Sequence, residues 1–452
     1  TNIVADATYT NSGDDIGCGI YAHRSDAFKS LRVNVLNTLP AVSNPNINFT
    51  ECDKAIWLRN TSGTVDRQKI FTCGLGFLAM ECEGKKLRVT ENIIDNTYWA
   101  IIKIGDETVN GFTAIGNTIT LPLGNEDQWI NFPPMGIFSS YSSKVHVGKS
   151  SLINNTIQMP YGNTGLGITI AEGSVDQILN NQIHFSSPNA DLNVTVPKMI
   201  GLYSNNSDAI MMIGNTVDNG GGGNYAHTNN TGIYLLDNKN SLLQCNTLNF
   251  TKYGIFAVGN NGSSQYDRTV GNFMNNSDAN LMLWKLTQEG SMGQIGNKNP
   301  LAGPFYDANN IYFDQVDAFP LDPNALPAFY NKVFRVTDCL TSISFNDEIV
   351  TSLNTLDQSR STSNAGSGLC EVTIYPAPSS AQTFTCPSGG SSTPTTNQHP
   401  MDIHYALMVA NNEIEYSEFI EGARRADEEL VQQWLENNAA ERSSNTILDS
   451  FY

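Results

Sequence analysis

The sequence predicts an all-β solenoid of stacked parallel strands, about ten rungs long, with a helical segment at its C-terminal end. Three observations carry that expectation. The word Ile-Gly-Asn-Thr-Ile at 115–119 returns as Ile-Asn-Asn-Thr-Ile at 153–157 and Ile-Gly-Asn-Thr-Val at 213–217. A second word, a small or polar residue followed by apolar ones, stands between successive copies. The two arcs that join these words tolerate very different amounts of inserted sequence.

Asn92, Asn117, Asn155, Asn181, Asn215, Asn246, Asn272 and Asn297 mark the first word, at steps of 25, 38, 26, 34, 31, 26 and 25 residues. The second word begins at Gly76, Ala100, Gly136, Gly165, Gly201, Gly232, Gly254 and Asn280. From its first apolar residue to the next Asn the distance stays between 13 and 18 residues, whereas the return arc varies from 9 to 21. A stack of rungs explains this, because only turns that leave the stack can change length. The return arc takes insertions such as 218–230.

The apolar words are too short for helices and alternate at period two, as strands do. An Asn between strands suits a left-handed or bridge backbone, which its short amide tolerates. Stacked once per rung, such amides can hydrogen-bond the neighbouring rung and satisfy buried turn backbone. On this reading Ile115 and Ile119, Ile153 and Ile157, and Ile213 and Val217 point inward, with the Asn residues stacked along one edge.

The pattern Ile-x-Asn-x-Ile followed by Gly-Ile resembles the repeat of right-handed parallel β-helix proteins, the pectate-lyase-like superfamily. It covers roughly residues 18–300, with earlier rungs suggested at Gly19, Leu31–Leu36 and Ala55. In style the chain is also similar to large secreted β-helix proteins of gliding bacteria, which implies export by a type IX system. Enzymes with this fold usually cut polysaccharides, so the resemblance directs attention to the outer faces of consecutive rungs.

The chain divides into four parts. Residues 1–300 are assigned to the parallel β-helix. Residues 301–375, with their prolines and aromatics, read as irregular rungs and a cap for the open end of the stack. Residues 376–399 are rich in Pro, Ser and Thr and read as a linker. Within 400–452, Tyr416, Phe419, Ile420, Ala423, Ala426, Leu430 and Trp434 recur at spacings of three or four, as in an amphipathic helix. Its apolar stripe needs a partner, either this chain's own β-helix or, since the linker lets the helix reach away, another subunit or domain. Phe419, Ile420, Leu430 and Trp434 are the expected subunit contact of a homo-oligomer.

Composition narrows the function. Forty-four acidic residues stand against 25 basic ones, a net charge of −19. That balance repels a phosphate backbone and excludes nucleic acid as a partner. No apolar run approaches the length of a membrane span. Only 15% of residues are charged, and the wealth of Asn, Ser, Thr and Gly suits a secreted, extracellular or cell-surface solenoid. The triplets at Asn48, Asn60, Asn193, Asn229 and Asn249 match the glycosylation pattern, which an Asn-rich solenoid also produces by chance. Eight cysteines include no Cys-x-x-Cys pair, which argues against a zinc ribbon. Cys370 and Cys386 bracket a short loop that a disulfide would close. The first four, Cys18, Cys52, Cys73 and Cys82, suit either disulfides or a stack of buried thiols.

The residues offer little to a catalyst. A lyase needs a base with Arg, Lys or calcium to neutralise a uronate, and a hydrolase needs two facing acids. Paired acids occur at Asp14/Asp15, Glu81/Glu83, Glu91/Asp95, Asp106/Glu107 and Glu126/Asp127, each beside an expected turn where solvated charge is normal. Histidines are scattered, and basic residues are few between 100 and 300. No catalytic, cofactor or metal residue is assigned. Calcium is compatible with the acidic surface, but no motif indicates it. The expected function is a non-catalytic structural or adhesive protein of an extracellular appendage or cell-surface assembly, with a cell-surface or glycan partner. The alternative is a polysaccharide-degrading or polysaccharide-binding module.

Overall fold

A computed structural model describes residues 49–284 with interruptions in the turns, a few short strands on either side, and Cys386. The segment expected to be helical, with Phe419, Ile420, Leu430 and Trp434, and also Asn297 lie outside the described residues. The rest is all-β, and every strand pairing is parallel.

Each rung contributes three strands. In one rung they are Trp99–Ile104, Phe112–Ile115 and Thr118–Thr120. In the next they are Met135–Ser140, His146–Val147 and Thr156–Met159. Equivalent strands pair with one another, so the chain winds through three sheets, here called I, II and III in chain order. Among the described strands they hold 11, 10 and 11 members. The result is a three-sided parallel solenoid.

Its core is one continuous column of apolar side chains, one or two from each sheet per rung. Sheet I supplies Ile101, Ile137 and Ile168 in register, and sheet III supplies Ile119, Ile157 and Ile183. All six are fully buried. β-branched side chains fill such a column well, since their stiff rotamers repeat from rung to rung. The small residue at the head of the sheet I word has a steric cause. A Cβ on Gly136 or Gly167 would lie 2.5 Å from a carbonyl oxygen of the following rung.

Two expectations about the Asn word need correction. The left-handed residue is the one before the ladder Asn: Glu91, Gly116, Asn180, Gly214, Cys245 and Gly271 have φ between 53° and 70°. That residue makes the corner and leaves the Asn free to point inward. The corner also breaks the period-two count. Met212 rather than Ile213 faces the core, and Ala114 rather than Ile115 joins the core cluster. Ile119, Ile157 and Val217, beyond the corner, are fully buried. Ile153 lies outside the described residues.

The cysteines also differ from expectation. Cys386 is bonded to Cys245, with a Cα–Cα distance of 5.7 Å, and not to Cys370. Closeness along the chain is no guide to the 4.4–6.8 Å that a disulfide requires. The bond ties the Pro/Ser/Thr-rich stretch to the corner of a rung, so that stretch is anchored at Cys386.

Candidate functional site

The ladder Asn residues form one buried file. Asn92, Asn117, Asn155, Asn181, Asn215, Asn246 and Asn272 are at most 1% exposed. Each amide nitrogen up to Asn246 donates to the next amide oxygen, over 2.8–3.0 Å. Each also donates to the carbonyl of a core-facing sheet II residue one rung earlier, as Asn215 does to Ile178 at 2.8 Å. The amide oxygens accept backbone N–H groups as well, as Asn215 does from Asn181 at 2.9 Å. The corner between sheets II and III is thereby satisfied without water.

Two shorter systems serve the other corners. Between sheets I and II, Asn238 Oδ1 accepts from Ser207 N and Ser204 Oγ, and Asn261 Oδ1 accepts from Asn238 N. The free cysteines belong to a related device. Cys52, Cys73 and Cys82 each follow a left-handed residue and donate a weak S–H bond to the carbonyl two residues back. Thr97 and Ser207 make the same contact through hydroxyls. These buried thiols act as small turn-closing donors.

Two buried ionisable side chains stand apart. Lys103 falls on the inward file of sheet I, between Ala79 and Ser139, and is only 3% exposed. Its ammonium donates to the Gly105 carbonyl. Asp176 is fully buried nearby; one oxygen accepts from Val145 N at 2.8 Å and the other has no partner. Burial pushes its carboxyl well above the usual range, against the pull of the Val145 N–H and the Lys103 charge. The signal was present in the alternation, because Lys103 shares a face with Ile101.

A raised folded-state value fixes the sign of a pH effect. The Asp176 contribution to stability should be complete below about pH 4, the unfolded value, and fade as pH rises through the folded value. Asp176→Asn should remove that slope. Urea midpoints of both proteins, compared from about pH 4 upward, should diverge as pH rises, favouring the variant. A constant difference would refute this.

The acid pairs considered for catalysis are dispersed. Glu81 makes two 2.7 Å bonds to Arg59, and Glu91 one to Arg67. The Arg59 contact holds the Glu81 carboxyl below its ordinary value. These are exposed rung-to-rung pairs, and such pairs contribute little. Asp95 lies on the outer side of sheet III, and the other acids named above lie outside the described residues. Among the described residues no three His, Cys, Asp or Glu side chains cluster as metal ligands.

The outer faces differ in chemistry. Sheet I carries Trp57, Leu78, Ile102 and Phe138 in register, and farther along Tyr203, Tyr234 and Phe256. Successive rings of that last group pack edge-on, with centroids 5.2 and 5.1 Å apart. At the near end, Tyr21 and Trp57 lie 4.6 Å apart, with the Lys54 ammonium 5.1 Å from the Trp57 ring. Sheet II presents Thr113, His146 and Gln177, all buried. Sheet III presents a half-exposed file of Thr and Gln. Comparison with family models, with curated proteins and with solved structures gives no match for this chain.

Proposed function

We propose that this chain is a non-catalytic structural or adhesive rod, secreted and built into an extracellular appendage or cell-surface assembly. What supports the reading is the make-up of the sheet I outer face. Where adjacent rungs of a lyase or hydrolase would converge acids and bases, this chain stacks Trp57, Leu78, Ile102 and Phe138, then Tyr203, Tyr234 and Phe256. Rigidity comes from the Asn file, which couples each rung to the next. The coil is taken as right-handed, the hand that crossovers between parallel strands almost always adopt, and so as the pectate-lyase-like type of β-helix.

The same reading makes the protein a homo-oligomer joined through Phe419, Ile420, Leu430 and Trp434, with neither metal nor organic cofactor. Pectin, alginate and neutral glycans incubated with purified protein should yield neither unsaturated products nor new reducing ends. Turnover lost on changing one acidic pair would replace this reading with an enzymatic one. Removing 400–452 should leave the strand signal intact while the particle sediments as a smaller species. If the full-length and truncated forms both sediment as monomers of their own mass, the oligomer is defeated.

A further inference from the structure

We infer that the outer face of sheet III is a docking strip for an uncharged polysaccharide chain lying along the solenoid axis. The inference rests on the adhesive reading above and names its surface and partner. Thr118, Thr156, Gln182, Thr216 and Thr247 stand in strict register on successive rungs. All are half-buried or exposed, and their side chains make no hydrogen bond within the described residues. One free hydroxyl or amide therefore recurs about every 4.8 Å along the stack. Gln158 belongs to the parallel file two residues along each strand.

Two further features point to a ligand. Among the described residues, four large apolar side chains are markedly exposed, and two of them lie near the start of these files: Ile93 at 46%, between Lys69 and Thr118, and Phe71 at 37%, beside Asp95. An exposed apolar group beside a row of unused hydrogen-bonding groups is what the apolar faces and hydroxyl edges of sugar rings require. Charge chooses the class of polymer. The file from Thr118 to Thr247 is uncharged; Asp95, His184 and Asp218 flank it, Lys69 stands beyond Ile93 at its start, and the chain carries −19 overall. A polyanion is repelled and a neutral chain is not. A crystalline surface such as ice fits less well, because Gln158 and Gln182 project beyond the Thr side chains and break the plane. A flexible polymer can follow them.

The test uses the full-length chain sedimented with cellulose, chitin or polygalacturonate. Retention is expected on a neutral polymer and not on polygalacturonate. Phe71→Ala, and Gln158→Ala with Gln182→Ala, should each weaken retention about tenfold, while Tyr203→Ala on sheet I should not. Absence of retention on both neutral polymers, equal retention by the variants, or uptake by ice alone overturns the proposal. So does a variant that changes particle size rather than retention, which would make this strip a subunit contact. Product release from these polymers would defeat the non-catalytic reading but leave the strip standing.

Discussion

Asn215→Ala is expected to destabilise the protein by about 2–4 kcal/mol. The buried Asn181 N–H loses its acceptor, and an orphaned buried donor alone costs about 1–3 kcal/mol. The bonds to the Ile178 carbonyl and the Asn246 amide disappear as well. The Asn181 amide keeps its bond to the Val147 carbonyl, so the damage should stay near one corner. Denaturant unfolding of the variant checks the magnitude. A loss below about 0.5 kcal/mol, the usual scale for surface substitutions, would mean that the amide does not serve buried backbone.

Met212→Ala should cost about 2–5 kcal/mol, the range for truncating a buried Met, Leu or Ile. Met212 is fully buried and stands in register between Ile178 and Leu243 in the core column. Its neighbour Ile213, turned outward at the corner and only partly buried, should lose less than half as much on truncation. The comparison is sensitive to register, because a one-residue slip moves every side chain to the opposite face. Equal losses at the two positions, or a larger one at Ile213, would place the wrong residue in the core.

That pair of residues also shows where the sequence could be read and where it could not. The recurring Asn was legible because apolar residues flank it on both sides, which a loop Asn does not require. The inward residue beyond the corner was legible too, since Ile119, Ile157 and Val217 follow the Asn at a fixed offset within one strand. The residue before the corner was not. Glu91, Gly116 and Gly214 take left-handed backbone there, and a simple alternation carried across such a turn comes out one position late.

Long-range facts were hidden for a different reason. Nothing along the chain places Cys386 beside Cys245, 141 residues away. Asp176 reads as an ordinary turn acid until burial is known. The Thr and Gln of sheet III were visible in the repeated words, but a strip appears only when rung register aligns residues 25–40 positions apart (roughly one solenoid turn). The expected C-terminal contact residues lie outside the described residues, and their expectation rests on helical periodicity alone.

The central claim is that the recurring Asn side chains form one coupled file. A double-mutant cycle on Asn181 and Asn215 measures this most directly, since their amides touch at 3.0 Å and the Asn215 oxygen also binds the Asn181 backbone. Unfolding free energies of Asn181→Ala, Asn215→Ala and the double variant should show a coupling of about 1 kcal/mol or more, within the 0.5–3 kcal/mol seen for contacting residues. Losses that add to within about 0.3 kcal/mol, as they do for independent sites, would contradict the account.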